Sequence, residues 1–282
     1  MNQELIRINS IDGIEQVGIL YTSKERTKKI VIHVHGLNGN FYENRFLDTL
    51  AKSYTNQNID FLTCNNRGTN FITEFLKGDD FIVIGGCLER FQDCILDIQG
   101  IINWVKAKGY QEIILEGHSY GCNKVLYYYN ETKDQNIKKI ILLAPCDIPK
   151  EVEKFLTKEE YEQVKSLSTK LVHSGKEKEF VDFSIMANGK ISAGTFYYDF
   201  LPNGKNDFLK YSASEKNDFL NQIDIPVSVI FGSDDECVLT EKIEVVKKYL
   251  KNNIQNCQIH IIEGANHSFQ KKYKELEHVI SK

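Results

Sequence analysis

The chain has 282 residues, 41% apolar and 26% charged, with only four prolines; it is long enough for a full hydrophobic core and lacks the composition of a disordered tail or long linker. Its formal net charge of −4 comes from acids and bases interspersed along the chain, with no basic block to neutralise a run of phosphates, so no nucleic-acid partner is expected. The opening MNQELIRINSIDG lacks the order of a signal peptide, and no apolar run approaches the roughly 18 residues of a membrane span. Seven cysteines at irregular spacings include no C-x-x-C pair, as for buried, reduced thiols in a cytoplasmic protein.

In chain order, the β-rich runs ELIRI and VGILYT predict an antiparallel start. IVIHVH (30–35), IDFLTC (59–64), EIILEG (112–117), KIILLA (139–144), VSVIFG (227–232) and QIHIIEG (258–264) follow, alternating with helical segments. That alternation predicts an α/β fold with a mostly parallel sheet covered by helices on both faces. Phe91, Cys94, Ile95, Ile98, Ile101, Ile102 and Val105 recur at helical spacing, with Gly109 at the stop. Thr240 is the expected N-cap of a helix through Ile243, Val246, Tyr249 and Leu250. The alternation fails between Pro149 and Asp224, about 75 residues, too many for an ordinary connection. These form an expected cap, residues 149–224, inserted into a core of 1–148 and 225–282.

Gly117-His118-Ser119-Tyr120-Gly121 matches the G-x-S-x-G elbow, a sharp strand-to-helix turn that lifts a serine hydroxyl above the sheet. Its setting fits, since EIIL precedes it and CNKVLYYY follows. A serine hydroxyl is a weak nucleophile, so a histidine must take its proton and a carboxylate must fix that histidine's tautomer. Asp235, in a Gly-x-x-Asp turn after one strand, and His267, in a Gly-x-x-His turn after the next, supply both in the required order. Asp234 and Glu236 flank the acid, and Asp147 in APCDIP is an alternative.

With these motifs the sequence resembles the α/β-hydrolases over most of its length outside the cap. The resemblance implies the α/β-hydrolase fold and favours Asp235, three residues after Gly232 and three before Val238. It also implies an oxyanion hole in His35-Gly36-Leu37, made by the backbone N–H groups of Leu37 and Tyr120. Within the family, CNNRGTN (64–70), GGCLERFQD (85–93) and GHSYGCNKVLYY are similar to a branch that includes fungal siderophore-ester hydrolases. Familiar esterases and lipases usually carry an acidic residue where this chain has Asn66.

His33 and His260 lie within predicted strands, His173 in the cap and His278 in the terminal helix, where core or surface roles suit them. His118 reads as structural and His35 as shaping the oxyanion loop. Cys122 reads as packing, and Arg67 as a loop brace or a carboxylate binder. FIVIGG contains no G-x-G-x-x-G and no H-E-x-x-H occurs, so neither cofactor nor metal is implied. The expectation is a serine hydrolase acting on a small-molecule ester, with thioesterase, small peptidase and a non-catalytic ligand-binding protein as alternatives. Aromatic residues of the cap, Phe196, Tyr197, Tyr198 and Phe200, are expected to line the substrate pocket.

Overall fold

The computed structural model describes residues 1–186, 188–237 and 240–281. β1 (Asn2–Asn9) and β2 (Glu15–Thr22) pair antiparallel, as the opening runs predict. Then come β3 (Lys29–Val34), α1 (Phe46–Asn56), β4 (Asp60–Cys64), the hairpin β5 (Thr73–Lys77) and β6 (Asp80–Ile84), α2 (Cys94–Ala107), β7 (Glu112–His118), α3 (Tyr120–Thr132) and β8 (Ile137–Leu143). The β5–β6 hairpin was not anticipated, although Gly78-Asp79 between two β-rich runs is a two-residue hairpin signal.

Between β8 and the next long strand lie α4 (Ile148–Phe155), α5 (Lys158–His173), the short antiparallel pair β9 (Phe180–Asp182) and β10 (Lys190–Ser192), α6 (Ala193–Thr195), a π-helical turn at Phe196–Phe200 and α7 (Asp218–Asn221). The chain then returns to the sheet as β11 (Val227–Gly232), α8 (Ile243–Asn253), β12 (Cys257–Ile262) and α9 (Tyr273–Ile280). Thr157 opens α5 with a reciprocal capping box to Glu160, which satisfies two orphan donors at once. The expected cap at Thr240 is not used: α8 starts at Ile243 after Lys242, so its first turn lacks the side-chain acceptor that the sequence offered.

The eight-stranded sheet runs β1-β2-β4-β3-β7-β8-β11-β12. From β4 to β12 the pairings are parallel, and β2 meets β4 antiparallel. β4 and β11 are buried throughout, and β3 at every residue but its first. Strands buried on both faces read as continuous apolar runs. Two helical groups provide the cover, α1 with α9 and α2 with α3. The stripe from Cys94 to Val105 is the buried face of α2, which ends before Gly109 at φ 95°. No helix among the described residues is long and apolar enough to cross a membrane.

The order reverses between β4, β3 and β7, so the loops after β3 and β7 open side by side at the C-terminal edge, where α/β sheets bind ligands. Close backbone approach sets their spacing. A Cβ on Gly121, in the first turn of α3, would lie 2.1 Å from the Val34 carbonyl at the end of β3. Gly121→Ala is therefore expected to destabilise the protein by about 1–3 kcal/mol through overpacking against backbone. A lower urea midpoint with an unchanged slope would be the readout.

Candidate active site

Ser119 stands between the end of β7 and the start of α3 at φ 56°, ψ −129°, a region that L-residues enter at a cost of order 1–3 kcal/mol. The conformation is over-determined. Ser119 N–H donates to Leu143 O at 2.8 Å, and Ser119 O accepts from Cys122 N–H at 2.8 Å. A side chain on Gly117 would strike the Gly121 carbonyl carbon at 2.5 Å. Ser119 stays partly exposed while both neighbours are buried, and its Oγ lies 3.4 Å from Cys146 Sγ.

The acid and the histidine meet because two loops interlock. A Cβ on Gly232, at the end of β11, would sit 2.1 Å from Ala265 O. Across that contact Asp234 N–H donates to Ala265 O at 3.0 Å, Ser233 N–H to Ile262 O at 3.0 Å, and Gly264 N–H to Ser233 Oγ at 2.8 Å. His267 Nδ1 consequently lies 3.2 and 3.1 Å from the two oxygens of Asp235. The carboxylate side chain is fully buried and the imidazole is 18% exposed. An ionised carboxylate only accepts, so this contact favours the tautomer with the proton on Nδ1, in which the Nε2 lone pair is available.

His118 Nε2–H donates to the His267 carbonyl at 3.0 Å, and the two rings lie 4.8 Å apart. Burial drives His118 well below the usual imidazole range, so it serves as a neutral prop. Among the described residues no hydrogen bond joins Ser119 to His267, and Cys146 takes the hydroxyl contact instead. Such contacts often tighten only when substrate binds. Asp147, the alternative acid, faces elsewhere: it accepts from Tyr211 N–H at 3.1 Å, and burial pushes its carboxyl up to about 7. Val238, which helped frame the acid turn, lies outside the described residues.

The loop after β3 approaches from the other side. A Cβ on Gly36 would lie 2.8 Å from Ser119 Cβ and 3.3 Å from Ser119 Oγ. His35 is buried, and desolvation lowers its pKa to about 3. Its Nδ1–H donates to Gly36 O at 2.8 Å, while Nε2 accepts from Asn66 N–H at 3.2 Å and lies 3.0 Å from Thr69 Oγ1. Peptide planarity turns the Leu37 N–H away from the carbonyl so held. Neither the Leu37 nor the Tyr120 N–H has a hydrogen-bond partner among the described residues. Tyr120 is the first residue of α3, where an N–H has no partner within the helix, and Leu37 is half-buried.

The four aromatic residues expected in the pocket scatter. Phe196 is fully buried against Phe183, ring centroids 5.5 Å apart. Tyr197 meets His173, and Tyr198 is exposed beneath the Arg90 guanidinium at 3.8 Å. Phe200 alone of the four has its ring against Tyr120, at 6.0 Å. A π-helical turn spreads successive side chains around its axis, so contiguity in sequence does not make one wall.

Arg67 is a loop brace: it is buried, with Nε and Nη2 donating to Asp97 at 3.0 and 2.9 Å and Nη2 donating to Asp12 at 2.9 Å. Cys122 is buried under Gly117 O and Leu143 O, away from the serine hydroxyl. His33 pairs with Glu116 at 2.7 Å inside the core. Asp235, Cys237 and His267 offer O, S and N donors within 4.8 Å of one another, and are the described residues best placed for a metal ion. Two of them, Asp235 and His267, are already hydrogen-bonded to each other. Sequence reasoning missed Cys146 at the serine and the ion pair of Lys124 with Glu89 at 2.6 Å; neither belongs to a recognisable spacing pattern.

Solved structures share this architecture across nearly the whole chain. Est1E from Butyrivibrio proteoclasticus, solved with ferulic acid bound, aligns with TM-score 0.65 at 17% identity over 97% of this chain and 96% of its own. The α/β hydrolase GrgF from a Penicillium species gives 0.69 at 15% over 99% and 97%. An esterase of Pyrococcus furiosus gives 0.61 at 17% over 99% and 89%. These likenesses establish the α/β-hydrolase fold. No curated protein matches the sequence. The family model described as a protein of unknown function, DUF1749, matches residues 15–282, so this chain, an α/β-hydrolase by fold, belongs to that family.

Proposed function

We propose that the protein is a serine hydrolase that cleaves a carboxylic ester through an acyl-enzyme, with Ser119 as nucleophile, His267 as base and acid, and Asp235 as the orienting carboxylate. The observation that carries the reading is the meeting at one edge of the sheet of a strained serine, a histidine held by a buried carboxylate through Nδ1, and two N–H groups that have no hydrogen-bond partner among the described residues. His267 Nε2 takes the Ser119 proton as Oγ attacks the carbonyl carbon, and Asp235 stabilises the imidazolium. The Leu37 and Tyr120 N–H groups receive the developing oxyanion. His267 then gives its proton to the leaving alcohol, and a water activated at the same Nε2 releases the acid. The likeness to an esterase of Pyrococcus furiosus, and to Est1E solved with ferulic acid bound, supports an ester as substrate.

In this reading residues 149–224 act as a cap on the core of 1–148 and 225–282, and Phe200 beside Tyr120 is the aromatic of the cap that reaches the acyl or alcohol group. Phe196, Tyr197 and Tyr198 hold the cap together and to the core.

Intact-mass analysis after fluorophosphonate treatment is expected to show one adduct, absent in Ser119→Ala, and a panel of ester, thioester and amide substrates will rank the ester first. Retained labelling in that variant overturns the assignment of the nucleophile.

His267→Ala and Asp235→Asn should each lose about three or more powers of ten in turnover. Asp147→Asn should stay within about tenfold of wild type in steady-state assays, and a crippled Asp147 variant beside a healthy Asp235→Asn would reverse the assignment of the acid.

Phe200→Ala is expected to shift discrimination between short and bulky esters by about 1–3 kcal/mol in kcat/KM. Tyr198→Ala, on the exposed side, should leave that profile unchanged; equal profiles for wild type and both variants would remove Phe200 from the pocket.

A further inference from the structure

Lys124 and Glu89 form an ion pair of 2.6 Å in which both side chains are only 1% exposed. A buried pair of this kind contributes little net stability compared with apolar residues of the same size, because desolvation offsets the attraction. Its position is more informative than its strength. Lys124 lies on α3, one turn beyond Tyr120, and its ammonium stands 5.3 Å from the centre of the Tyr120 ring. Lys124 Nζ also donates to Asn66 Oδ1 at 3.3 Å, an oxygen that accepts Gly68 N–H at 2.9 Å as well.

From Asn66 the chain of bonds reaches the other side of the serine. Asn66 N–H donates to His35 Nε2 and His35 Nδ1–H holds Gly36 O, which fixes the direction of the Leu37 N–H through the trans peptide. Glu89 anchors the far end. A Cβ on Gly68 would lie 2.3 Å from Glu89 Oε1, so carboxylate and turn are in direct contact. Thr195 Oγ1, from the segment between β8 and β11, donates to Glu89 O at 2.9 Å.

We propose that Lys124 and Glu89 are positioning residues for the reaction: their buried contact locks α3 to the Asn66 turn, and thereby holds the Tyr120 and Leu37 N–H groups, carried by two separate elements, at the separation that an oxyanion requires. The inference rests on the reading of those two N–H groups as the oxyanion hole. Neither residue touches substrate. Donors aimed at charge that develops only in the transition state raise kcat and leave ground-state binding alone, so slackening the lock lowers kcat at nearly constant KM.

The test uses three variants of the whole chain. Lys124→Met/Glu89→Met removes both charges together, so that no unpaired ion is left buried. Asn66→Leu keeps the ion pair but cuts its link to the loop, and Asn66→Asp restores an acceptor for Lys124 and Gly68. The double variant and Asn66→Leu are each expected to lose about 10–100-fold in kcat with KM within about threefold. Affinity for a tetrahedral boronic acid should fall by the same factor, and Asn66→Asp should recover most of the loss. A folded variant with wild-type kcat and boronate affinity overturns the inference, as does a kcat loss that merely follows the fraction unfolded. Wild type and Ser119→Ala run alongside: no turnover in wild type is failure of the hydrolase reading, whereas a Ser119-dependent turnover indifferent to residues 66, 89 and 124 is failure of this inference alone.

Discussion

The backbone of Ser119 is the constraint on which the rest of the site depends. A φ of 56° and ψ of −129° at a non-glycine residue persists only where its surroundings leave no other path. Here those surroundings are missing side chains. Gly36, Gly117 and Gly121 each bring another backbone, or Ser119 itself, closer than a Cβ would permit. β3, β7 and α3 are thereby packed almost backbone to backbone, and the turn between β7 and α3 has no room to relax. The cost of order 1–3 kcal/mol is spread over central strands that are almost wholly buried, which are rigid enough to bear it.

The two sides of the serine are built differently, for a physical reason. On the side of the N–H donors, His35, Asn66, Arg67, Glu89, Asp97 and Lys124 are all buried and their charges are paired within the cluster. Groups that must present fixed dipoles gain from a dry, immobile setting, since reorientation at the moment of reaction would cost energy. On the other side, the carboxylate is buried but the imidazole stays 18% exposed. In the proposed reaction His267 passes protons between serine, leaving group and water, which requires an open Nε2.

Much of this was legible in the sequence because it follows from period and punctuation. Continuous apolar runs located every strand of the large sheet, and the glycines of G-x-S-x-G, Gly-x-x-Asp and Gly-x-x-His marked the turns because close approach excludes a side chain. What escaped depends on three-dimensional proximity. Cys146 stands 27 residues from Ser119 and Glu89 stands 35 from Lys124; neither separation has a periodic signature. The stretch FYYDF read as one aromatic wall, yet its π-helical geometry sends Phe196 into the segment's own core, Tyr198 outward under Arg90, and Phe200 between Phe183 and Tyr120. Thr240 is a good N-cap by residue type, but α8 begins three residues later, and capping preference is too weak to fix a boundary against tertiary packing.

The segment between β8 and β11 is joined to the site by specific bonds as well as by apolar contact. Thr195 Oγ1 donates to the carbonyls of Cys87 and Glu89, Ser192 N–H donates to Cys87 O, and Asp199 accepts from Phe91 N–H at 3.1 Å. Burial pushes the Asp199 carboxyl up to about 7 although Arg90 opposes the shift. These bonds converge on the GGCLERFQD stretch, the same stretch that supplies Glu89 to Lys124. A single loop therefore carries the segment on one side and α3, the helix that follows Ser119, on the other. Movement of the segment that disturbed residues 87 to 91 would act on Lys124 before it acted on Ser119. In the proposed reading, the segment that would meet the substrate and the dipoles that would meet the oxyanion share one support, which ties recognition to rate without a direct contact between them.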